Sequence, residues 1–106
     1  MNGEVTTREE IESFIYQFRY AKETFLNGCC FWFAYILNAR FPNSRIMYDP
    51  VYNHFVTEIN GYFWDVTGDT NQTYACYVWD DYMEFEPYDA QRVIDQCIMK
   101  YPKGGM

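Results

Sequence analysis

The chain has 106 residues, 49% hydrophobic and 22% aromatic, with 11 Tyr and 9 Phe; this is room for one domain, residues 1–106, with enough apolar area for a compact core, and it argues against disorder. Its 15 acidic and 8 basic residues give a net charge of -7, and no run of Lys or Arg could track a phosphate backbone, which argues against nucleic acid as a partner. The opening segment MNGEVTTREEIESF is acidic where a secretory signal is basic, and the apolar stretch Cys29 to Leu37 is about half of the roughly 20 residues that cross a bilayer; a cytoplasmic protein without a membrane partner is expected.

Thr7-Arg8-Glu9-Glu10 has the form of a capping box, which predicts a helix whose buried stripe is Ile11, Phe14, Ile15, Phe18 and Ala21, running to about Lys22. Asn27-Gly28 interrupts it, and the apolar segment from Cys29 to Ala39 predicts a second, largely buried helix ended by Phe41-Pro42-Asn43. Arg45 to Tyr48 and His54 to Ile59 read as strands. Asn60-Gly61 predicts a two-residue type I′ hairpin, with Tyr62 to Val66 as the returning strand. Thr73 to Trp79 reads as a third main strand, followed by the acidic stretch Asp80, Asp81, Glu84 and Glu86. A last helix is expected from Asp89 as N-cap to Lys100, lined by Val93, Ile94, Cys97, Ile98 and Tyr101, and Lys103-Gly104-Gly105 reads as a frayed tail. There is no internal repeat or linker. The sum is an α+β fold with a small antiparallel sheet between N-terminal helices and a C-terminal helix.

The four cysteines, at positions 29, 30, 76 and 97, are expected as thiols in a reducing compartment. No CxxC pair is present, and Cys29 and Cys30 diverge by about 100° on a helix, so no metal site is expected. A thiol at a helix start is activated by the positive end of the helix dipole and the free amides there. Cys30 occupies such a position and shares a face with Ala34 and Leu37, although Cys29 remains a close rival. The Cys30 N–H is a candidate oxyanion donor. His54 is the only histidine, so a thiol–imidazole pair must use it. The hairpin register pairs residues whose numbers sum to 121, which makes His54 and Asp65 diagonal neighbours on adjacent strands. A carboxylate is thereby expected beside the only imidazole, and Cys30, His54 and Asp65 become candidate nucleophile, base and orienting group.

Two blocks carry a resemblance. Gly28-Cys29-Cys30-Phe31-Trp32-Phe33-Ala34-Tyr35-Ile36-Leu37 is similar to a Gly-x-Cys followed by an apolar helix, and His54 to Gly68 is similar to a strand His, a hairpin and an aromatic strand bearing Asp before Thr-Gly. Together they resemble the papain-like cysteine peptidase superfamily, in its compact NlpC/P60-like or transglutaminase-like branch. The resemblance implies a papain-like core with the nucleophile helix packed on the sheet, selects Cys30 over Cys29, and directs attention to Asn27 or Thr24 as an additional oxyanion donor. It implies a cysteine hydrolase acting on an amide bond of a protein or peptide through a thioester, with no cofactor. The alternative is an inactive binding or inhibitory module encoded by a mobile element, using the acidic aromatic surface around Tyr77, Trp79, Tyr82 and Phe85. A third possibility is redox sensing through the vicinal Cys29 and Cys30.

Overall fold

The computed structural model describes residues 6–26, 28–70 and 76–99. The capping box at Thr7 is formed in full: the Glu10 amide donates to Thr7 Oγ1 at 3.1 Å and the Thr7 amide to Glu10 Oε1 at 2.9 Å. Helix α1 (Arg8–Tyr16) buries Ile11 and Ile15. It does not continue to Lys22. The Gln17 and Phe18 amides bond back to Phe14 and Ile15, tightening the chain into a 3-10 turn at Arg19–Ala21 before α2 (Lys22–Leu26). On either side of this break Phe18 and Phe25 both meet Phe33, with ring centroids 5.3 and 5.1 Å away.

Helix α3 (Cys30–Arg40) begins one residue later than expected, with Cys29 as its N-cap. It is the central element of the core. Phe33 and Leu37 join Ile11, Ile15, Ile59, Trp64 and Val66 in one apolar cluster, while Ala34 joins Tyr48, Phe55, Trp79, Tyr82 and Val93 in another.

The sheet is antiparallel, in the order β4-β3-β2-β1-β5, and consists of β1 (Arg45–Asp49), β2 (His54–Ile59), β3 (Tyr62–Asp65), β4 (Gly68–Asp69) and β5 (Tyr77–Val78). Asn60 and Gly61 both have positive φ, 57° and 85°, the signature of the type I′ turn. The ladder Ile59↔Tyr62, Glu58↔Phe63, Thr57↔Trp64 has the expected register. Thr57, fully buried, donates its hydroxyl to the Ala34 carbonyl at 3.1 Å and so ties the sheet to α3.

The C-terminal third differs from expectation. Residues 73–75 lie outside the described residues, and the chain leaves the sheet at Val78. Trp79 opens a helix, α4 (Trp79–Phe85), because Trp79 and Tyr82 at helical spacing bury themselves on Tyr48 and Phe55. Helix α5 (Pro87–Val93) starts at Pro87, with Glu86 at the cap position. Asp89 is therefore not the N-cap; its carboxylate accepts the Tyr82 hydroxyl at 2.5 Å and Arg92 Nε at 2.8 Å. From Ile94 to Ile98 the helix widens into π geometry. Lys100, Tyr101 and the tail from Lys103 lie outside the described residues. Among the described residues no helix is long and apolar enough to cross a membrane.

Candidate active site

Gly28, with φ 118°, takes a backbone conformation open to glycine and turns the chain into α3. Cys29 and Cys30 then occupy different environments. Cys29 is 2% exposed, and burial, reinforced by the neighbouring Cys30, pushes its thiol pKa up. Cys30 is the first helical residue and only partly buried. As such its amide has no acceptor within the helix, and the Cys29 side chain makes no capping bond that would occupy the other first-turn amides.

His54 opens β2 as Cys30 opens α3, and the hydrogen bonding and charge of Cys30 are among the causes that raise the imidazole's pKa. His54 Nε2 lies 3.0 Å from Asp65 Oδ2. An ionised carboxylate only accepts, so Nε2 carries the proton of this bond. Asp65 is fixed in turn through its other oxygen, Oδ1, which accepts the Thr67 amide at 2.8 Å and the Thr67 hydroxyl at 2.5 Å.

Both members of the pair are largely withdrawn from water, with side chains 17% and 11% exposed. Burial by itself lowers the His54 pKa, but the hydrogen bonds to Asp65 and Cys30 and the charges of those groups outweigh it, and the pKa is pushed up to about 9. For Asp65, burial opposes ionisation, yet the bonds from His54 and Thr67 hold the carboxyl below its ordinary range. At neutral pH the site thus holds an imidazolium beside a carboxylate, an arrangement suited to returning a proton to a leaving group.

The remaining thiols are placed otherwise. Burial, with the Asp49 charge, raises Cys76 to about 12, and Cys97 accepts a hydrogen bond from Asn53 Nδ2 at 3.2 Å. All four cysteines are free, so Cys29 and Cys30 are not joined. Asn27 lies outside the described residues, and Thr24 is exposed on α2.

Three supporting residues were not singled out from the sequence. Thr67 holds Asp65, and its signal was the Asp-x-Thr spacing of an Asx turn. Buried Asp49 accepts the amides of Val51 and Tyr52 through Oδ1 at 2.9 and 3.4 Å, which shapes the loop that delivers His54. Asn53, at φ 54°, accepts the Tyr48 hydroxyl at 2.6 Å immediately before His54.

The family model for Phage YunG-like proteins matches residues 6–97. The chain belongs to the phage YunG-like protein family. No curated protein and no solved structure matches it. The assignment of this YunG-like chain corrects the resemblance to papain-like cysteine peptidases: the family match spans nearly the whole chain, whereas that resemblance rested on two short blocks between residues 28 and 68. The same side-chain constellation recurs on unrelated folds, so the order of Cys, His and Asp along the chain does not define ancestry.

Proposed function

We propose that this protein is a small cysteine-dependent hydrolase that cleaves an amide bond in a protein or peptide. The observation that carries the proposal is the His54 imidazole with Nε2 held 3.0 Å from Asp65 Oδ2, together with Cys30 at the first turn of α3 among the groups that raise that imidazole's pKa. In the proposed reaction the Cys30 thiolate attacks the carbonyl carbon, and the developing oxyanion is received by the Cys30 amide at the uncapped start of α3. His54 gives its Nδ1 proton to the departing amine and leaves a thioester. It then takes a proton from water, which attacks the thioester, releases the acid and expels the Cys30 thiolate beside the re-formed imidazolium. An amine in place of water makes the same site a transferase. Asp65 keeps the ring oriented and stabilises its charged form. The chemistry asks for no metal or cofactor, and the proposed setting is the cytosol, where thiols stay reduced.

The test is site-resolved alkylation with iodoacetamide at neutral pH. Cys30 is expected to react first, and His54→Ala to slow it at least about tenfold. Equal reaction of Cys30 and Cys97, unchanged by His54→Ala, would sink the proposal.

A specific surface supports a second reading as a protein-binding module of a mobile element. Trp79 and Tyr82 cover the sheet, but Tyr77 and Phe85 remain 43% and 52% exposed, packed together at 5.3 Å beside Asp80, Asp81 and Glu84. Aromatic anchors inside an acidic rim suit a basic partner, and the family's phage designation fits such an origin. If Cys30→Ser retains biological activity while Phe85→Ala removes it, this reading replaces the enzymatic one.

A further inference from the structure

We propose that the cavity beside the Asp65 turn is a subsite for a carboxylate of the substrate. The cavity measures about 340 Å³ and lies between α1, the 3-10 turn, the start of α2 and the β3–β4 turn. It gathers Arg8, Arg19 and Lys22, three of the eight basic residues of the chain. Against these stand Glu12 and Asp69, so the lining carries a net +1 in a molecule of net -7.

The three cations are not equivalent. Arg8 is neutralised by Asp69 at 2.9 Å and Glu12 at 3.5 Å. Arg19 is held by its own helix turn: Nη1 donates to the Tyr16 carbonyl at 3.0 Å and the guanidinium lies 4.1 Å over the Tyr16 ring. Among the described residues neither Arg19 nor Lys22 is paired with a carboxylate. A guanidinium already fixed on an aromatic face loses little freedom when it takes a planar anion, and Lys22 adds a second charge at the same cavity. The apolar wall provided by Val66 suits the carbon stem that carries such a group.

Position connects this cavity to the chemistry. Its wall includes Thr67 and Gly68, the residues that follow Asp65 in the turn, and Thr67 is the residue that holds Asp65 Oδ1. A larger cavity, about 590 Å³ around Arg40, Ser44 and Asn60, sits at the Ile59 end of β2, away from His54. A volume of 340 Å³ accepts one or two residues rather than a polymer, and the overall negative charge repels polyanions while the local cations attract a single carboxylate. The occupant is therefore a peptide with a free carboxylate, from an acidic side chain or from its C-terminus. The role of the subsite in orienting a scissile bond rests on the hydrolase reading; its affinity for carboxylate does not.

The experiment is a titration of the ¹⁵N-labelled full chain, followed at the Thr67 and Gly68 amides, with N-acetyl-glutamate amide (side-chain carboxylate), N-acetyl-alanine (α-carboxylate) and neutral N-acetyl-glutamine amide. One of the two carboxylates is expected to shift these amides at least about tenfold more tightly than the neutral control, and Arg19→Gln with Lys22→Gln to remove that preference, while Lys22→Arg retains it. The tighter carboxylate identifies the source. Equal response to the glutamate and glutamine compounds and to N-acetyl-alanine, or a preference that survives the double Gln variant in a well-dispersed spectrum, overturns the subsite. Cys30 alkylation is measured in the same samples: if the carboxylate binds at Thr67 and Gly68 while Cys30 shows no selective reactivity, the subsite stands and the hydrolase reading falls.

Discussion

Replacing Asp65 with Asn keeps the shape of the side chain and removes its charge, so the change isolates the electrostatic hold on His54. The ordinary imidazole pKa of 6.5 is raised here to about 9, a preference for the imidazolium of about 3 kcal/mol. Burial works against that preference, so Asp65 and Cys30 together supply more than this amount; if the two contribute comparably, Asp65→Asn brings the pKa down by at least about one pH unit, about 1.4 kcal/mol. His54 is the single histidine, and its ring proton resonance is therefore unambiguous in a proton NMR titration. The wild-type midpoint is expected near 9 and the Asp65→Asn midpoint distinctly lower. A wild-type midpoint near 6.5, or an identical midpoint in the variant, would refute the reasoning. The sign carries over to stability: because the folded pKa lies above the unfolded one, this contribution is complete below pH 6.5 and is lost as pH rises through about 9. Asp65 behaves in the opposite sense, its depressed pKa contributing above the ordinary carboxylate range and losing that contribution as pH falls through the folded value.

Other outcomes follow from the same structure. Thr57→Val removes the hydroxyl that holds the Ala34 carbonyl in a fully buried position; urea unfolding should show a loss of about 1 to 3 kcal/mol, accompanied by slower Cys30 alkylation as α3 shifts on the sheet. Leu37→Ala, at a fully buried position of α3, should cost about 2 to 5 kcal/mol by the same assay. Gly61→Ala forces a side chain into φ 85°, and although the added carbon meets nothing within 4 Å, the strain should cost about 1 to 2 kcal/mol. For the rate of alkylation by the anionic iodoacetate relative to neutral iodoacetamide, the ratio should fall as pH passes about 9, because deprotonation of His54 removes the positive charge beside the thiolate.

Much of the site was legible because a turn fixed it. Asn60-Gly61 admits one common hairpin geometry, which sets the register and brings Asp65 to His54 without reference to packing. The capping box at Thr7 was equally local. What the sequence concealed depended on tertiary contacts. Trp79 and Tyr82 read as strand and acidic loop, yet their three-residue spacing buries both on Tyr48, Trp79 meeting Phe55 as well, so a helix forms where β propensity argued for a strand. Asp89 resembled a cap, but Pro87 two residues earlier starts the helix and Asp89 is taken by Tyr82 and Arg92. The choice between Cys29 and Cys30 was a matter of burial, which neighbouring residues of one type cannot reveal in sequence: the structure buries the first and leaves the second at the helix start.

Trapping the acyl group tests the Cys30 nucleophile. On exposure to p-nitrophenyl acetate at neutral pH, a single acetyl group is expected, mapped by mass spectrometry to Cys30 and formed at least about 100-fold more slowly in His54→Ala. Acetylation spread over Cys97 and lysines, at a rate unaffected by His54→Ala, would contradict it.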